Sequence, residues 1–339
     1  IVIAYENRPS ASAPRIEAGA QSAMAWHHFT VGVSVSRTSE FNRQVFTQVI
    51  NLDRCDDRLA TITGELSEAR ISFSRFDAID GRNLDWPDDP RIQADIDLKK
   101  WVACHHRNPI PADVGCYLSH LGAIRAFLAQ DKPYGLILED DAKVPRSLVS
   151  LLAPVLADDA FDILKLHVRH PGPLAARKVY NENCTLSSIL GKHAGATAYL
   201  ITKRAAERMV SHMVPGCKMN DWVYDEAHKM GLRLRTIDPM PVGLHHVGST
   251  IESERDKSNR SWIEKQVDRP LSPRWALFFV RAWDEFHRGM FNLFTDGCLK
   301  ALIFGPEKVN TIKVEATQPD LQPSQRPTPT ENYNRQASR

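Results

Sequence analysis

In YGLILEDDAKVP, residues 134–145, an apolar run leads directly into Glu139, Asp140 and Asp141. Leu136, Ile137 and Leu138 carry no polar alternation, which predicts a strand buried on both faces in a mostly parallel sheet flanked by helices. The carboxylates leave that strand at its C-terminal end, where open α/β sheets hold their ligands. Acids this close repel one another unless a cation is present, and hard oxygen donors suit Mg²⁺ or Mn²⁺. A diphosphate is the natural further partner of such an ion. A solvated acidic turn has the same spacing, so both readings stand at this point.

The elements that must position these acids alternate in type. VFTQVINL (45–52) reads as a strand, Asp53 to Asp56 as a polar turn, and DDRLATITGELSEA as a helix, the opening unit of a nucleotide-binding α/β fold. Asp53, Arg54 and Arg58 follow that strand, where a nucleotide would lie; Arg can fork onto phosphate and Asp can accept from ribose hydroxyls. The alternative is a helix start with its own charge pairs. ISFSRFDAI (71–79) is a second strand ending in the Asp80-Gly81 turn, and 82–110 reads as a surface excursion. From Pro111, Asp113 caps a predicted helix whose Val114, Leu118, Leu121, Phe127 and Leu128 recur at helical steps. FDILKLH (161–167) is a buried strand, and the chain is then irregular to about 192. GATAYLI (195–201) is a strand, 203–213 and 221–231 are helical, and LRLRTIDP is a late strand leading to the His245-His246 loop.

Around this region lie an N-terminal extension (1–44), a helical, aromatic-rich segment (252–305) and a tail (306–339) of disordered composition. Within the aromatic-rich segment, 274–304 suits either peripheral contact with a membrane or packing of its aromatic face on the domain or a partner chain. A formal net charge of +2 and the absence of basic residues interleaved with aromatics argue against nucleic acid. Six scattered cysteines form no CxxC pair, so a reducing compartment is expected. The first residues lack the basic start and apolar middle of a signal peptide, although residue 1 is not methionine and a processed start stays open. The expected location is cytoplasmic, peripheral at the inner face of the membrane.

VINLDRCDDR, FDAIDG, VGCYLSH, LILEDD, FDILKL and GATAYLITKRAAERM occur in the order and approximate spacing of glycosyltransferase family 25, which the chain resembles over residues 45–251. These are bacterial lipooligosaccharide galactosyltransferases and relatives that include the collagen galactosyltransferases. GCYLSH followed by LEDD one helix further on is the most specific pair. Asp113-Val114 stands where the family commonly shows Glu-Ile, which keeps the acid and the apolar position.

The resemblance implies a GT-A-type nucleotide-sugar-binding fold in 45–251, a UDP-sugar donor, a Mn²⁺ or Mg²⁺ cofactor and inversion at the anomeric carbon. It implies that Asp141, with Asp140, ligates the metal, and that Glu139 and Asp140 bind the donor's ribose or a metal-bound water. Asp80 and Gly81 would touch the donor, and Ser119 and His120 would reach it from their helix. Gly115 and Cys116 would allow close packing. Inversion needs one base to take the acceptor's proton, and Asp221 matches the family's late acidic position, with Asp225 and Glu226 as rivals and a helix-capping role as the alternative. His246 lies in the region from which GT-A enzymes often send a third metal ligand. The expected acceptor is a saccharide of a lipooligosaccharide, LPS or surface polysaccharide. Two other functions fit the carboxylates: metal-dependent phosphoryl transfer or hydrolysis, weakened by the lack of a GxxxxGK[ST] loop, and a non-catalytic module that binds a sugar nucleotide.

Overall fold

Strands and helices alternate from residue 36 onward in a computed structural model that describes residues 36–105, 109–169, 172–245 and 274–309. Helical residues 36–44 (α1) run straight into β1 (Val45–Asn51), followed by α2 (Asp56–Glu68) and β2 (Phe73–Asp77). Then come a 3₁₀ turn (Gly81–Asn83), α3 (Pro90–Asp95), α4 (Leu98–His105), α5 (Pro111–Leu128) and β3 (Tyr134–Glu139). The next elements are β4 (Ala142–Lys143), α6 (Leu148–Leu156), β5 (Ile163–Lys165), β6 (Leu174–Asn181), β7 (Cys184–Ile189) and β8 (Ala198–Thr202). After α7 (Lys203–Met213) and α8 (Asn220–Asp225) lie β9 (Leu234–Asp238) and β10 (Gly243–Leu244). The last described stretch holds α9 (Arg274–Met290), a π-helical turn (Phe291–Thr295), α10 (Cys298–Phe304) and β11 (Glu307–Lys308).

Nine strands form one sheet in the order β11-β6-β7-β9-β5-β8-β3-β1-β2. Only β7 and β8 run against the others, so the sheet is mixed and mostly parallel in direction, as expected. The chain moves from β1 outward to β2 and then returns to β3 on the other side of β1. That reversal opens a crevice at the C-terminal strand ends, where α/β sheets hold ligands. Leu136 and Leu138 of β3 pack with α2 and α6, while Ile137 packs with α5 and α7 on the opposite face. The strand is buried on both sides, which explains its unbroken apolar run.

Several boundaries differ from the sequence expectation. Phe41 of α1 lies in the core and Lys132 Nζ donates to the Asn42 carbonyl at 2.7 Å, so packing begins before Val45. The supposed excursion at 82–110 contains α3 and α4, whose Ile92 and Trp101 are fully buried against α5, Trp101 edge-on to Tyr117. The irregular stretch before 192 contains the β6–β7 hairpin, whose bulged register interrupts the alternation that would reveal it. Asp113 lies inside the first turn of α5 rather than at its cap, which is Ile110. Glu307 and Lys308, at the start of the supposed tail, pair with β6. Residues 1–35 and 310–339, with His246, lie outside the described residues.

The C-terminal helices are fastened to the sheet by charge. Arg235 of β9 and Asp296 are both buried, with Nη2 to Oδ1 at 2.6 Å, and Ser188 Oγ donates to the same carboxylate at 3.2 Å. Arg177 Nη2 also donates to the Asp296 carbonyl at 2.7 Å. Asp296→Ala would leave the Arg235 charge buried and unpaired, and should destabilise the fold by about 3 kcal/mol in urea unfolding, with Arg235→Met/Asp296→Leu recovering most of the loss. A loss under about 1 kcal/mol would show that the pair does not fasten the segment.

Candidate active site

The ends of β1, β2 and β3 meet the N-terminal half of α5 in a cleft enclosing about 680 Å³, its open mouth included. That is within the size range of small-molecule sites. Arg54, Arg58, Asp80, Gly81, Ser119, His120, Glu139 and Asp140 all line it, so most of the residues singled out from sequence converge here. Ile50, Leu52, Ala78 and Ala112 form its apolar wall.

Two glycines set the shape of the cleft. A Cβ on Gly115 would sit 2.5 Å from the Ile79 carbonyl oxygen and 2.6 Å from the Gly81 nitrogen, and one on Gly81 would overlap the Pro111 carbonyl. The helix can therefore lie directly on the 79–81 turn only because both positions lack side chains. Ser119 completes this contact, accepting from Ile79 N at 2.8 Å and donating to the Gly115 carbonyl at 2.6 Å. Its hydroxyl proton is thus engaged in holding the turn. Asp80 caps the 3₁₀ turn through Arg82 N; hydrogen bonding from Arg82, with the charge of Arg54, holds its carboxyl below the ordinary value against burial.

The three adjacent acids have different partners. Glu139 Oε1 lies 3.1 Å from His120 Nε2, and His120 Nδ1 lies 3.0 Å from the Tyr199 hydroxyl. Burial works to raise Glu139, but the His120 contact and the charges of Lys165 and Arg58 outweigh it and keep the carboxyl below its usual range. Asp140 is buried, accepts from Asn51 Nδ2 at 2.8 Å and is paired closely with Arg58; burial nonetheless raises it. Asp141 has the weakest support. Arg58 Nη2 stands 3.5 Å from its Oδ2, and its Oδ1 is buried with no hydrogen-bond partner. Burial, reinforced by the charge of Glu139, lifts this carboxyl to about 7. A buried, unpartnered carboxylate oxygen beside two further acids is an arrangement that a divalent cation fits.

The loop after β9 returns to this point. Gly243 and Leu244 pair antiparallel with Ala142 and Lys143, and His245 N donates to the Asp141 carbonyl at 2.9 Å. His245 Nε2 lies 2.8 Å from Glu65 Oε1. His246, the expected third metal ligand, follows immediately but lies outside the described residues.

Asp141 lies just beyond the cleft lining beside Arg58, and Asp53, Asp221 and Glu226 do not line it either. Asp53 has a side chain 90% exposed and pairs with Arg75, because the turn after β1 points it at solvent. Glu226 is buried among His212 at 2.8 Å, Lys218 at 2.5 Å and Lys229 at 2.8 Å. Burial alone would raise it, but hydrogen bonds from these three groups hold it far below the ordinary carboxyl range, so it is a poor proton acceptor. Asp225 is engaged as well, accepting from His193 N at 3.0 Å. Asp221 lies in the first turn of α8, partly exposed.

Lys165 was not singled out from sequence. It is fully buried on β5, donates to the Gly195 carbonyl and sits 3.9 Å from the centre of the Tyr224 ring. Burial lowers it to about 8 against the opposing charges of Asp221, Asp225 and Glu139. It therefore lies electrostatically between the acids of the cleft and those of α8. A lysine inside the apolar run FDILKL was the available signal. Asn51, the last residue of β1, is the other omission, and its polar side chain at a strand end was equally visible.

The family model described as glycosyltransferase family 25 (LPS biosynthesis protein) matches residues 45–221, a span that contains every cleft residue and ends on Asp221. A glycosyltransferase 25 family member of Aedes aegypti is 29% identical over 114 residues, covering 32% of this chain and 18% of the relative's own length.

The state of Asp141 has a measurable consequence. Its folded value of about 7 exceeds the ordinary 3.8, so its contribution to stability is complete below about pH 4 and is lost as pH rises through about 7. Without divalent ions, Asp141→Asn should match wild type near pH 4 and exceed it by about 2 kcal/mol or more at pH 8, measured by urea unfolding. A gap that does not change with pH would exclude a buried, raised carboxyl.

Proposed function

The chain belongs to glycosyltransferase family 25, and from that premise we propose that it is a metal-dependent, inverting hexosyltransferase. The donor is a UDP-sugar, UDP-galactose by the family's precedent, and the acceptor is a saccharide of a lipooligosaccharide, LPS or surface polysaccharide. The observation that carries this is the convergence of Arg54, Arg58, Asp80, Glu139 and Asp140 in one cleft, with Asp141 reached by the cleft's Arg58 and its buried Oδ1 unpartnered.

Asp141 and Asp140 would hold Mn²⁺ or Mg²⁺, which supplies a Lewis acid to the departing diphosphate. Arg58, held between Asp140 and Asp141, is positioned to fork onto a phosphate once a cation neutralises those acids. Arg54 offers a second cation at the same wall, and Asp80 an acceptor for ribose hydroxyls. His120 keeps Glu139 ionised and oriented. Asp221 takes the proton of the acceptor hydroxyl as its oxygen bonds to the anomeric carbon and the bond to UDP breaks. Lys165, buried within the field of Asp221 and Glu139, favours the ionised form of Glu139.

Titration with UDP-hexoses in Mn²⁺ or Mg²⁺, following both binding and UDP release, tests this directly. Asp141→Ala should weaken metal-dependent donor binding at least about tenfold, or about 1.4 kcal/mol. Asp221→Asn should leave donor binding intact and abolish transfer. Metal-independent binding, or binding of no UDP-sugar, removes the mechanism, and phosphate release from simple esters would favour a hydrolase.

Peripheral contact with a membrane at its cytoplasmic face is the second part of the proposal. No helix among the described residues is long and apolar enough to cross a bilayer. Trp283 is 64% exposed, Phe286 55% and Phe294 63%, so this aromatic face is not packed on the domain. Two of the neighbouring acids are turned inward, Asp284 pairing with Lys229 and Asp296 with Arg235, while Glu285 meets Lys192 at the surface. Exposed Lys300 and Lys308 flank the aromatics. An exposed aromatic face with two of its neighbouring acids paired inward and lysines close by suits a lipid surface. The triple variant Trp283→Ser/Phe286→Ser/Phe294→Ser should lose co-sedimentation with anionic vesicles while its urea midpoint is unchanged; undiminished sedimentation would exclude this face.

A further inference from the structure

We propose that Cys116, His120 and Glu139 form a Zn²⁺-binding site inside the cleft, separate from the hard-oxygen pair Asp140 and Asp141. Cys116 and His120 stand four residues apart on α5 and therefore share one face of the helix. That face meets the end of β3, where Glu139 terminates the strand. One donor atom from each of the three residues lies within 4.8 Å of the other two, and His120 Nε2 is already 3.1 Å from Glu139 Oε1.

The donor set is chemically distinct from that of the neighbouring acids. A thiolate, an imidazole nitrogen and one carboxylate oxygen match a borderline-soft ion such as Zn²⁺, whereas Mg²⁺ and Mn²⁺ prefer oxygen donors. Small side-chain rotations would close the three donors to zinc-ligand distances around one ion. The second nitrogen of the imidazole is held by the Tyr199 hydroxyl at 3.0 Å, the kind of outer contact that fixes a ligating histidine's ring. His120 and Tyr199 are both buried, so the ring has little freedom to turn away.

Cys116, His120 and Glu139 all line the cleft, so the fourth position of a tetrahedral ion faces the space assigned above to the donor. Binding would deprotonate the Cys116 thiol, release that proton to solvent and withdraw Glu139 from any donor contact. Zn²⁺ then acts as an inhibitor of the cleft, reversed by chelation, while Mn²⁺ does not. Inhibition depends on the transferase reading; ion binding does not, and it is measured without turnover.

Co²⁺ replaces Zn²⁺ spectroscopically. Titrating the full chain with Co²⁺ should produce a thiolate-to-cobalt charge-transfer band that Zn²⁺ abolishes. Cys116→Ser should lack the band and bind Zn²⁺ at least about tenfold more weakly in competition with a chelating dye, as should His120→Ala. Asp141→Asn should keep both, and Mn²⁺ binding to Cys116→Ser should be unchanged. Far-ultraviolet circular dichroism and urea midpoints establish that each variant is folded, Cys116→Ser being the conservative one. The site is overturned by an absent band in wild type, by a band that persists in Cys116→Ser, or by equal weakening of Zn²⁺ and Mn²⁺ in that variant.

Discussion

Three acids at the end of a strand buried on both faces must be compensated, and the compensation determines which elements meet there. Each compensating group comes from a different part of the chain. Asn51 reaches Asp140 from β1, Arg58 from the first turn of α2, His120 reaches Glu139 from α5, and Lys165 contributes its charge from β5. Uncompensated charge in such surroundings would be expelled or protonated. Asp141, the acid with the poorest set of partners, is the one driven toward protonation. The site thus holds two carboxylates with close partners and one, Asp141, with only a distant share of Arg58 and a buried oxygen that has no hydrogen bond.

The shape of the cleft depends on close backbone contact as much as on charge. Helix α5 is buried on nearly every side, between the sheet, α7 and the α3–α4 layer. It can lie against the 79–81 turn because Gly81 and Gly115 face each other without side chains, and Ser119 ties the two backbones together. One helix therefore carries the wall of the cleft, the histidine that supports Glu139 and the Cys116 thiol. A shift of α5 would move all of them together, so the two glycines bear on geometry well beyond their own contacts.

Away from the cleft, ion clusters serve attachment instead of chemistry. Glu226 gathers His212, Lys218 and Lys229, and Lys229 continues to Asp284 on α9. Arg235 and Asp296 join the sheet to the turn before α10. These contacts pair Asp284 and Asp296 on the inner side and leave Trp283, Phe286 and Phe294 outside. Buried pairs of this kind specify one docking geometry more than they add stability.

The strand, turn and helix around Asp56, the apolar run into Glu139, and the helix carrying GCYLSH were all legible in the sequence, because apolar periodicity and turn chemistry are local. The gathering of Arg54, Arg58, Asp80, Glu139 and Asp140 in one cleft was legible too, since their side chains follow strand ends in one compact alternation. The β6–β7 hairpin was not legible, since its bulges break the alternation, and neither was the burial of Trp101, which depends on what packs over it. Residue type also could not separate Asp53, which faces solvent, from Asp80, or Glu226, locked by His212, Lys218 and Lys229, from Asp221. The sequence by itself determined that acids would stand at a buried strand end beside a basic loop. Tertiary structure alone decided which of them have partners, because Asn51, Arg58, His120 and Lys165 come from elements far apart in the chain and meet only when the sheet is assembled.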